Sequence, residues 1–94
     1  MLNNFIVTLS NRSQSDLRAL PKSTRNRILR GIRRLETDPF PRGKTIRQIQ
    51  GMVGIFRLRI GDYRVVYQRT ENRAEILRVI HRQALERALR TLFQ

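Results

Sequence analysis

IFRLRIGDYRVVYQ, residues 55–68, is the stretch of sequence that decides the fold of this chain. Two runs of alternating residues flank Gly61-Asp62, a dipeptide suited to a two-residue hairpin turn. Because side chains alternate across a strand, a turn there places six apolar or aromatic residues on one face. The opposed pairs are Ile60 and Tyr63, Leu58 and Val65, Phe56 and Tyr67. We therefore predict an antiparallel hairpin with one core-facing surface.

The other face of the hairpin is basic. It carries Arg57 beside Val66 and sets Arg59 opposite Arg64. Like charges directly opposite each other destabilise an antiparallel pair by a few tenths of a kcal/mol or more. Either this is the solvated side of a two-sided sheet, with its repulsion weakened by salt, or it is a site for an anion.

The composition of the chain favours an anion-binding site over a merely solvated face. The 94 residues suffice for one small domain, 1–94, with a modest core, and the formal net charge is +13. All but two of the twenty basic residues are arginine, which binds phosphate in bidentate fashion. Nucleic acid is therefore the expected partner. Without cysteine and with one histidine, the chain offers no disulfide scaffold or structural zinc site, and we expect neither metal nor cofactor.

The remaining elements follow from periodicity and turn residues. We predict a strand over 4–9, a helix over 14–20 started by a capping box of Ser13 and Asp16, and a helix over 22–36. A loop covers 38–51, and after the hairpin come a strand over 74–81 and an amphipathic helix over 83–93. The expected fold is α+β in the order β-α-α-β-β-β-α, with helices on one face of a mostly antiparallel sheet. No run of eighteen apolar residues occurs, so we expect a soluble, cytoplasmic protein without a membrane partner.

The register of the last strand decides where its arginines point. A loop of even length before it places Arg78 and Arg82 beneath the helices, where unpaired charge is costly. A loop of odd length instead turns Leu77 and Val79 toward the core. We predict the odd loop, which gathers five arginines on the helix-free face: Arg57, Arg59, Arg64, Arg78 and Arg82.

Two helical surfaces remain open to two interpretations. The exposed side of the second helix carries Arg25, Arg27, Arg30, Arg33 and Arg34. It is either a solvated face or a contact for structured RNA, for which Arg30, Arg33 and Arg34 are the candidates. Lys44 and Arg47 in the following loop are further candidates for RNA contacts. The last helix either packs on its own domain or is held weakly enough for a partner helix to replace it.

The pattern Gly51, then FRLRIGDYRVVY over 56–67, then Val79-Ile80-His81-Arg82 resembles the RelE/ParE superfamily of bacterial toxin–antitoxin toxins. The resemblance covers nearly the whole chain and favours the RelE branch. It implies a RelE/ParE-like fold and a toxin that cleaves mRNA on the ribosome by attack of a 2′-OH on the adjacent phosphate. It also implies an acidic antitoxin, encoded beside this gene, as a partner. A ParE-like inhibitor of DNA gyrase and an inactive RNA-binding relative are the alternatives.

The resemblance also implies roles for single residues. Arg57 and Arg59 match the family's paired lysines, Arg64 its phosphate-contacting arginine, and Arg82 the arginine that stabilises the transition state or leaving group. The family's C-terminal tyrosine has no counterpart, since residues 83–94 contain none. His81 has the one side chain here whose unperturbed pKa lies near neutrality, and it is either catalytic or a structural hydrogen-bonding residue.

Overall fold

The computed structural model describes residues 4–92, which form a five-stranded mixed sheet and three helices. The sheet order is β1-β5-β4-β3-β2, with β1 parallel to β5 and the other neighbours antiparallel. This confirms the predicted α+β class. The elements are β1 (Ile6–Leu9), α1 (Asn11–Arg18), α2 (Lys22–Arg33) with a 3-10 turn (Arg34–Glu36), β2 (Ile46–Gln48), β3 (Ile55–Ile60), β4 (Tyr63–Arg69), β5 (Arg73–His81) with a 3-10 turn (Arg82–Ala84), and α3 (Leu85–Leu92).

The hairpin of β3 and β4 has the predicted register. Ile60 pairs with Tyr63, and the pairing continues to Ile55 opposite Gln68. Gly61 takes a φ of 57° at the turn, a conformation that costs glycine little. The apolar face of the hairpin joins a buried cluster with side chains of α1 and α2, namely Leu17, Ile28, Ile32, Leu35, Phe56, Leu58, Val65 and Tyr67.

The prediction of an uninterrupted loop over 38–51 is wrong. Residues 46–48 form the short edge strand β2, in which Ile46 lies opposite Leu58 and is almost fully buried. Three residues flanked by turns are too few for a periodic signal, and the strand exists because β3 offers it a partner. Its existence matters for function, since it brings the preceding loop up to the hairpin.

The first helix begins at Asn11, and Ser10 is its N-cap, accepting a hydrogen bond from the Ser13 backbone N–H at 3.1 Å. The predicted capping box is therefore wrong. Ser13 is buried and donates its hydroxyl to the Ser10 carbonyl, while the Asp16 carboxylate accepts the Val79 backbone N–H at 2.8 Å. The Asp16 carboxylate therefore binds a residue far along the chain, in β5, and does not cap its own helix.

The last strand, β5, places Val79 on the predicted face of the sheet, although the loop before the strand does not have the predicted length. Arg69 pairs with Ala74, so the connecting loop has an even length, contrary to the prediction. An irregularity opposite Val66 and Tyr67 then inserts one residue into β5, which returns Val79 to a position opposite Val65. Because of this β-bulge, Leu77 packs in a second hydrophobic cluster on the other face of the sheet. The predicted position of Leu77 in the core beneath α1 and α2 is therefore wrong.

That second cluster lies on the sheet face away from α1 and α2, and α3 covers it. It contains Ile49, Ile55, Val66, Ile80 and Leu85, with Ala88 and Leu89 packed against them. The last helix therefore packs on its own domain, and the helix-free face of the sheet is limited to the part beside β2. Within the described residues, no helix is long and apolar enough to cross a membrane.

Candidate functional site

The side of the sheet that α3 leaves uncovered holds a small open cavity of about 130 Å³. Every residue that lines this cavity is a cation, and we call it the basic cavity: Lys44, Arg47, Arg57, Arg59 and Arg64. The three hairpin arginines were expected to meet there. The two loop residues join them because β2 pairs with β3.

Strand β2 positions the loop cations directly. Arg47 lies opposite Arg57 in the β2–β3 ladder, so the like-charge pairing of the hairpin extends to a third strand. The Arg47 Nε also donates to the Gly43 carbonyl at 3.4 Å. Gly43 has a φ of 51°, which allows the tight turn that presents Lys44 just before the strand.

Arg64 is the most constrained member of the cavity. Its Nη1 donates to the carbonyls of Gly61 and Tyr63, each at 3.0 Å, which holds the guanidinium over the hairpin turn. Partial burial lowers the pKa of Arg64 first, and the positive charges of Arg59, Arg57 and Arg82 lower it further. The guanidinium remains charged at neutral pH, so the lowered pKa means that this site favours an added negative charge.

Arg82 lies at the end of β5, beside the same turn. Its backbone N–H donates to the Asp62 carbonyl at 2.8 Å, and its Nε lies 3.3 Å from Asp62 Oδ1. The side chain is 57% exposed and contributes to lowering the pKa of Arg64. Arg82 therefore lies on the surface near Arg64, as expected, with an exposed carboxylate that an incoming phosphate can displace.

The basic cavity is not neutralised from within. Among residues 4–92, no carboxylate lies within ion-pair distance of any of its five lining residues. The four ion pairs formed in this range use Asp16, Glu36, Asp38 and Asp62 and engage other arginines. Five cations that share one small cavity without an acidic partner form a site for a polyanion.

The placement predicted for Arg78 is wrong. Its guanidinium makes two hydrogen bonds to the Asp16 carboxylate, the shorter at 2.8 Å, and both side chains are only 13% exposed. Arg78 lies opposite Val66, in the predicted register, but its guanidinium bonds the Asp16 carboxylate of α1 instead of joining the basic cavity. Sequence alternation could not show this, because the carboxylate comes from a helix 62 residues earlier in the chain.

His81 also lies apart from the basic cavity. It pairs with Tyr63 across the strands, and the two rings meet edge to face with centroids 5.5 Å apart. Its Nδ1 accepts the Gln83 backbone N–H at 3.2 Å, which caps the 3-10 turn after β5. The imidazole thus has the structural, hydrogen-bonding position that was one of its two predicted roles, and nothing brings it to the phosphate site.

The arginines of α2 divide between two sides of the helix. Arg30 and Arg34, together with Arg27, line a larger groove between α2 and the β2–β3 edge. Arg33 points elsewhere, with its Nε 3.9 Å from Glu36. Arg27 belongs to the exposed basic side of α2 that the sequence indicates, and it precedes Arg34 by two helical turns and therefore shares its face. Arg42, from the loop before β2, also lines this groove and was not predicted as a site residue.

Comparison with known proteins assigns a family to this geometry. Residues 7–85 match the family described as the ParE toxin of the type II toxin–antitoxin system parDE. The chain belongs to this toxin family. The toxin is also 36% identical over 64 residues to a protein of Methanocaldococcus jannaschii that is named for toxin RelE1, covering 67% of this chain and 71% of that one.

Solved structures agree on the fold. The toxin resembles the archaeal RelE–RelB complex from Pyrococcus horikoshii, with a TM-score of 0.72 and 30% identity, over 84% of this chain and 96% of that chain. It also resembles a mutant of Escherichia coli RelE in the free state, with a TM-score of 0.73 and 17% identity over 88% of each chain. The predicted membership of the RelE/ParE superfamily is thereby confirmed.

Proposed function

We propose that this toxin is a RelE-like endoribonuclease that cleaves mRNA on the ribosome and so inhibits translation. The observation that carries the proposal is the basic cavity, in which Lys44 and Arg47 join three hairpin arginines without an acidic partner in residues 4–92. Such a cavity fits an RNA phosphate flanked by its own 2′-OH nucleophile. The enzyme then needs to align that hydroxyl and to stabilise the charge that develops on the phosphate.

Three residues of the basic cavity, together with Arg82 beside it, act on the scissile phosphate in this reaction. Arg57, Arg59 and Arg64 hold the non-bridging oxygens of the scissile phosphate, and the two backbone contacts of Arg64 keep its guanidinium preorganised. Arg82 stabilises the leaving 5′-oxygen after release from Asp62. The 2′-oxygen forms a new bond to phosphorus while the bond to the 5′-oxygen breaks, which yields a cyclic phosphate and a free 5′-hydroxyl.

Proton transfer falls to Lys44 in this proposal. The reaction must remove one proton from the 2′-OH and deliver one to the leaving oxygen, and arginine is a poor base because its pKa exceeds 12. Lys44 is the one amine among the residues that line the basic cavity. Lysine shifts its pKa more readily than arginine, so it can replace the amines that Arg57 and Arg59 do not supply.

The proposed partners follow from the charge and from the relatives. The formal net charge of +13 favours an acidic antitoxin that covers the basic cavity, and the Pyrococcus horikoshii relative forms a complex with RelB. Ribosomal RNA and mRNA are the proposed targets. We assign Arg30, Arg33 and Arg34 on α2 to RNA contacts outside the basic cavity, and propose a cytoplasmic site of action.

Primer extension on mRNA from a translating extract tests the activity. The toxin is expected to produce cuts in the ribosomal A site, and Arg64→Ala and Arg82→Ala are expected to abolish them while keeping the fold, because both side chains lie at the surface. Arg12→Ala on α1 removes the same charge far from the cavity and is expected to cleave like the wild type. If no codon is cut, or if either Arg64→Ala or Arg82→Ala keeps full activity, the proposal is contradicted.

A second function is favoured by the family description itself, which names ParE. A ParE-like toxin inhibits DNA gyrase with the same scaffold and leaves nucleic acid uncut. In that case mRNA stays intact while supercoiling by purified gyrase is inhibited. If neither activity is found but RNA binding is tight and salt-sensitive, the chain is the inactive RNA-binding relative.

A further inference from the structure

A second basic groove lies between α2 and the edge of the sheet, with a volume of about 310 Å³. Its floor is apolar and its rim is charged. Gly31, Leu35, Ile46, Leu58 and Ile60 form the floor. Arginines from α2 and the 3-10 turn after it, from the loop before β2 and from β3 form most of the rim: Arg27, Arg30, Arg34, Arg42 and Arg59. The one acidic residue among those that line the groove is Asp38. We call this feature the α2 groove.

The fold creates the α2 groove for two reasons. Strand β2 covers only three residues, and Arg59 is its last contact along β3, through a backbone hydrogen bond to the Thr45 carbonyl at 2.8 Å. The edge of β3 beyond that point is open. Meanwhile α2 approaches β3 closely at Gly31, where an added Cβ would collide with the Ile60 side chain. The arginines around this contact are thereby held at the mouth of a cleft.

The α2 groove is continuous with the basic cavity. Arg59 lines both, and the Arg27 guanidinium reaches the hairpin turn, within 2.9 Å of where a Cβ on Gly61 would lie. Arg64 contacts the same turn from the other side, through the Gly61 carbonyl. An RNA strand that has one phosphate in the basic cavity can therefore continue around the end of β3 and stay on a positively charged surface.

We propose that the α2 groove is a second nucleotide subsite, which binds the single-stranded RNA nucleotide next to the scissile phosphate. The phosphate contacts the rim arginines, and the base lies on the apolar floor with its face toward a guanidinium plane, an arrangement common in single-strand recognition. This occupant suits a cleft that combines apolar and cationic surfaces. The inference rests on the proposed function in one respect, which is that RNA occupies the basic cavity.

Most of the rim arginines form no ion pair within residues 4–92. Of the rim arginines, Arg42 pairs with Asp38 at 2.6 Å and is thereby held in place. Within residues 4–92, no ion pair engages Arg27, Arg30 or Arg34. Three cations on one helix face remain to neutralise phosphate, and each such contact adds salt-dependent affinity.

Binding of a fluorescent 2′-O-methyl RNA hexamer to the full chain, followed by anisotropy, tests the subsite. The methyl groups remove the nucleophile, so affinity is measured without cleavage. Arg27→Ala combined with Arg34→Ala is expected to raise Kd about tenfold or more. It should also reduce the slope of log K against log salt by about 1.4, since each lost phosphate contact on single-stranded nucleic acid contributes about 0.7. A 2′-O-methyl dinucleotide, which fills only the basic cavity, should show a smaller change.

A variant without a charge change distinguishes the contribution of the shape of the groove to RNA binding from the contribution of its charge. Thr45 is exposed at the rim, and Thr45→Trp fills the groove without removing a cation. It is expected to weaken hexamer binding while leaving the salt slope unchanged. The matched control is Arg12→Ala combined with Arg18→Ala on α1, which lowers the net charge equally and should change Kd less than twofold. Thermal melts of each variant establish that it is folded.

The failures of the two proposals are distinguishable. If hexamer binding depends on Arg64 but the groove variants match the α1 control, the subsite is absent and the basic cavity stands. If binding depends on the groove but not on Arg64, RNA does not occupy the basic cavity and the proposed function fails. If the groove variants lose binding to a Glu- and Leu-rich helical peptide but keep their affinity for RNA, the α2 groove is a protein-docking surface and the subsite proposal is overturned.

Discussion

The replacement of Arg59 by threonine should make the toxin more stable and less able to bind RNA. Arg59 lies directly opposite Arg64, whose pKa is already lowered by partial burial and, after that, by its cationic neighbours. If the two guanidinium charges are as far apart as the Cβ atoms of a cross-strand pair, about 5 Å, they repel by about 0.8 kcal/mol in water. At 0.1 M salt, with a Debye length of about 10 Å, roughly 0.5 kcal/mol of this remains, and at 1 M salt roughly 0.15 kcal/mol.

Arg57 and Arg47 add smaller repulsions of the same sign, so the expected gain in free energy of unfolding at 0.1 M NaCl is about 0.5–1 kcal/mol. For a domain of this size that corresponds to a rise in Tm of about 2–8 °C. The assay is a thermal melt by circular dichroism in 0.1 M and 1 M NaCl, with RNA affinity measured on the same samples. Affinity is expected to fall as stability rises.

Salt and a conservative variant serve as controls. Threonine also favours strands more than arginine does, but that contribution is present at both salt concentrations. Arg59→Lys keeps the charge and is expected to melt like the wild type. If Arg59→Thr melts at or below the wild type at 0.1 M NaCl, or if its advantage is unchanged at 1 M, the basic cavity is not under electrostatic strain and the reasoning fails.

Three further outcomes are expected. Asp16→Ala leaves the Arg78 guanidinium and the Val79 N–H without their carboxylate, and should cost about 3 kcal/mol in urea unfolding, since both charged side chains are largely buried; a cost below about 1 kcal/mol would contradict a buried pair. Lys44→Met should slow single-turnover RNA cleavage by about 10²-fold or more with hexamer affinity reduced by less than tenfold, and equal losses in both would make Lys44 a binding residue only. Sulfate at about 50 mM should raise the Tm of the wild type more than chloride at equal ionic strength, and Arg64→Ala should remove the difference; a shift that persists in Arg64→Ala would place the anion elsewhere.

Local alternation in the sequence determined the hairpin. The register of β3 and β4 and the meeting of Arg57, Arg59 and Arg64 on one face follow from the period of a strand and a Gly-Asp turn. These features need only neighbouring residues, which is why a single chain sufficed to predict them. The superfamily was predicted from the same stretch.

Tertiary contacts decided the rest. Strand β2 exists because β3 has a free edge, and this pairing moves Lys44 and Arg47 from a loop into the basic cavity. The bulge in β5 lets an even loop arrive at the phase predicted for an odd one, and the Asp16 carboxylate of α1 binds Arg78. Strand pairing and ion pairing across more than sixty residues depend on which surfaces meet in space, and a local pattern of residues carries no record of that meeting.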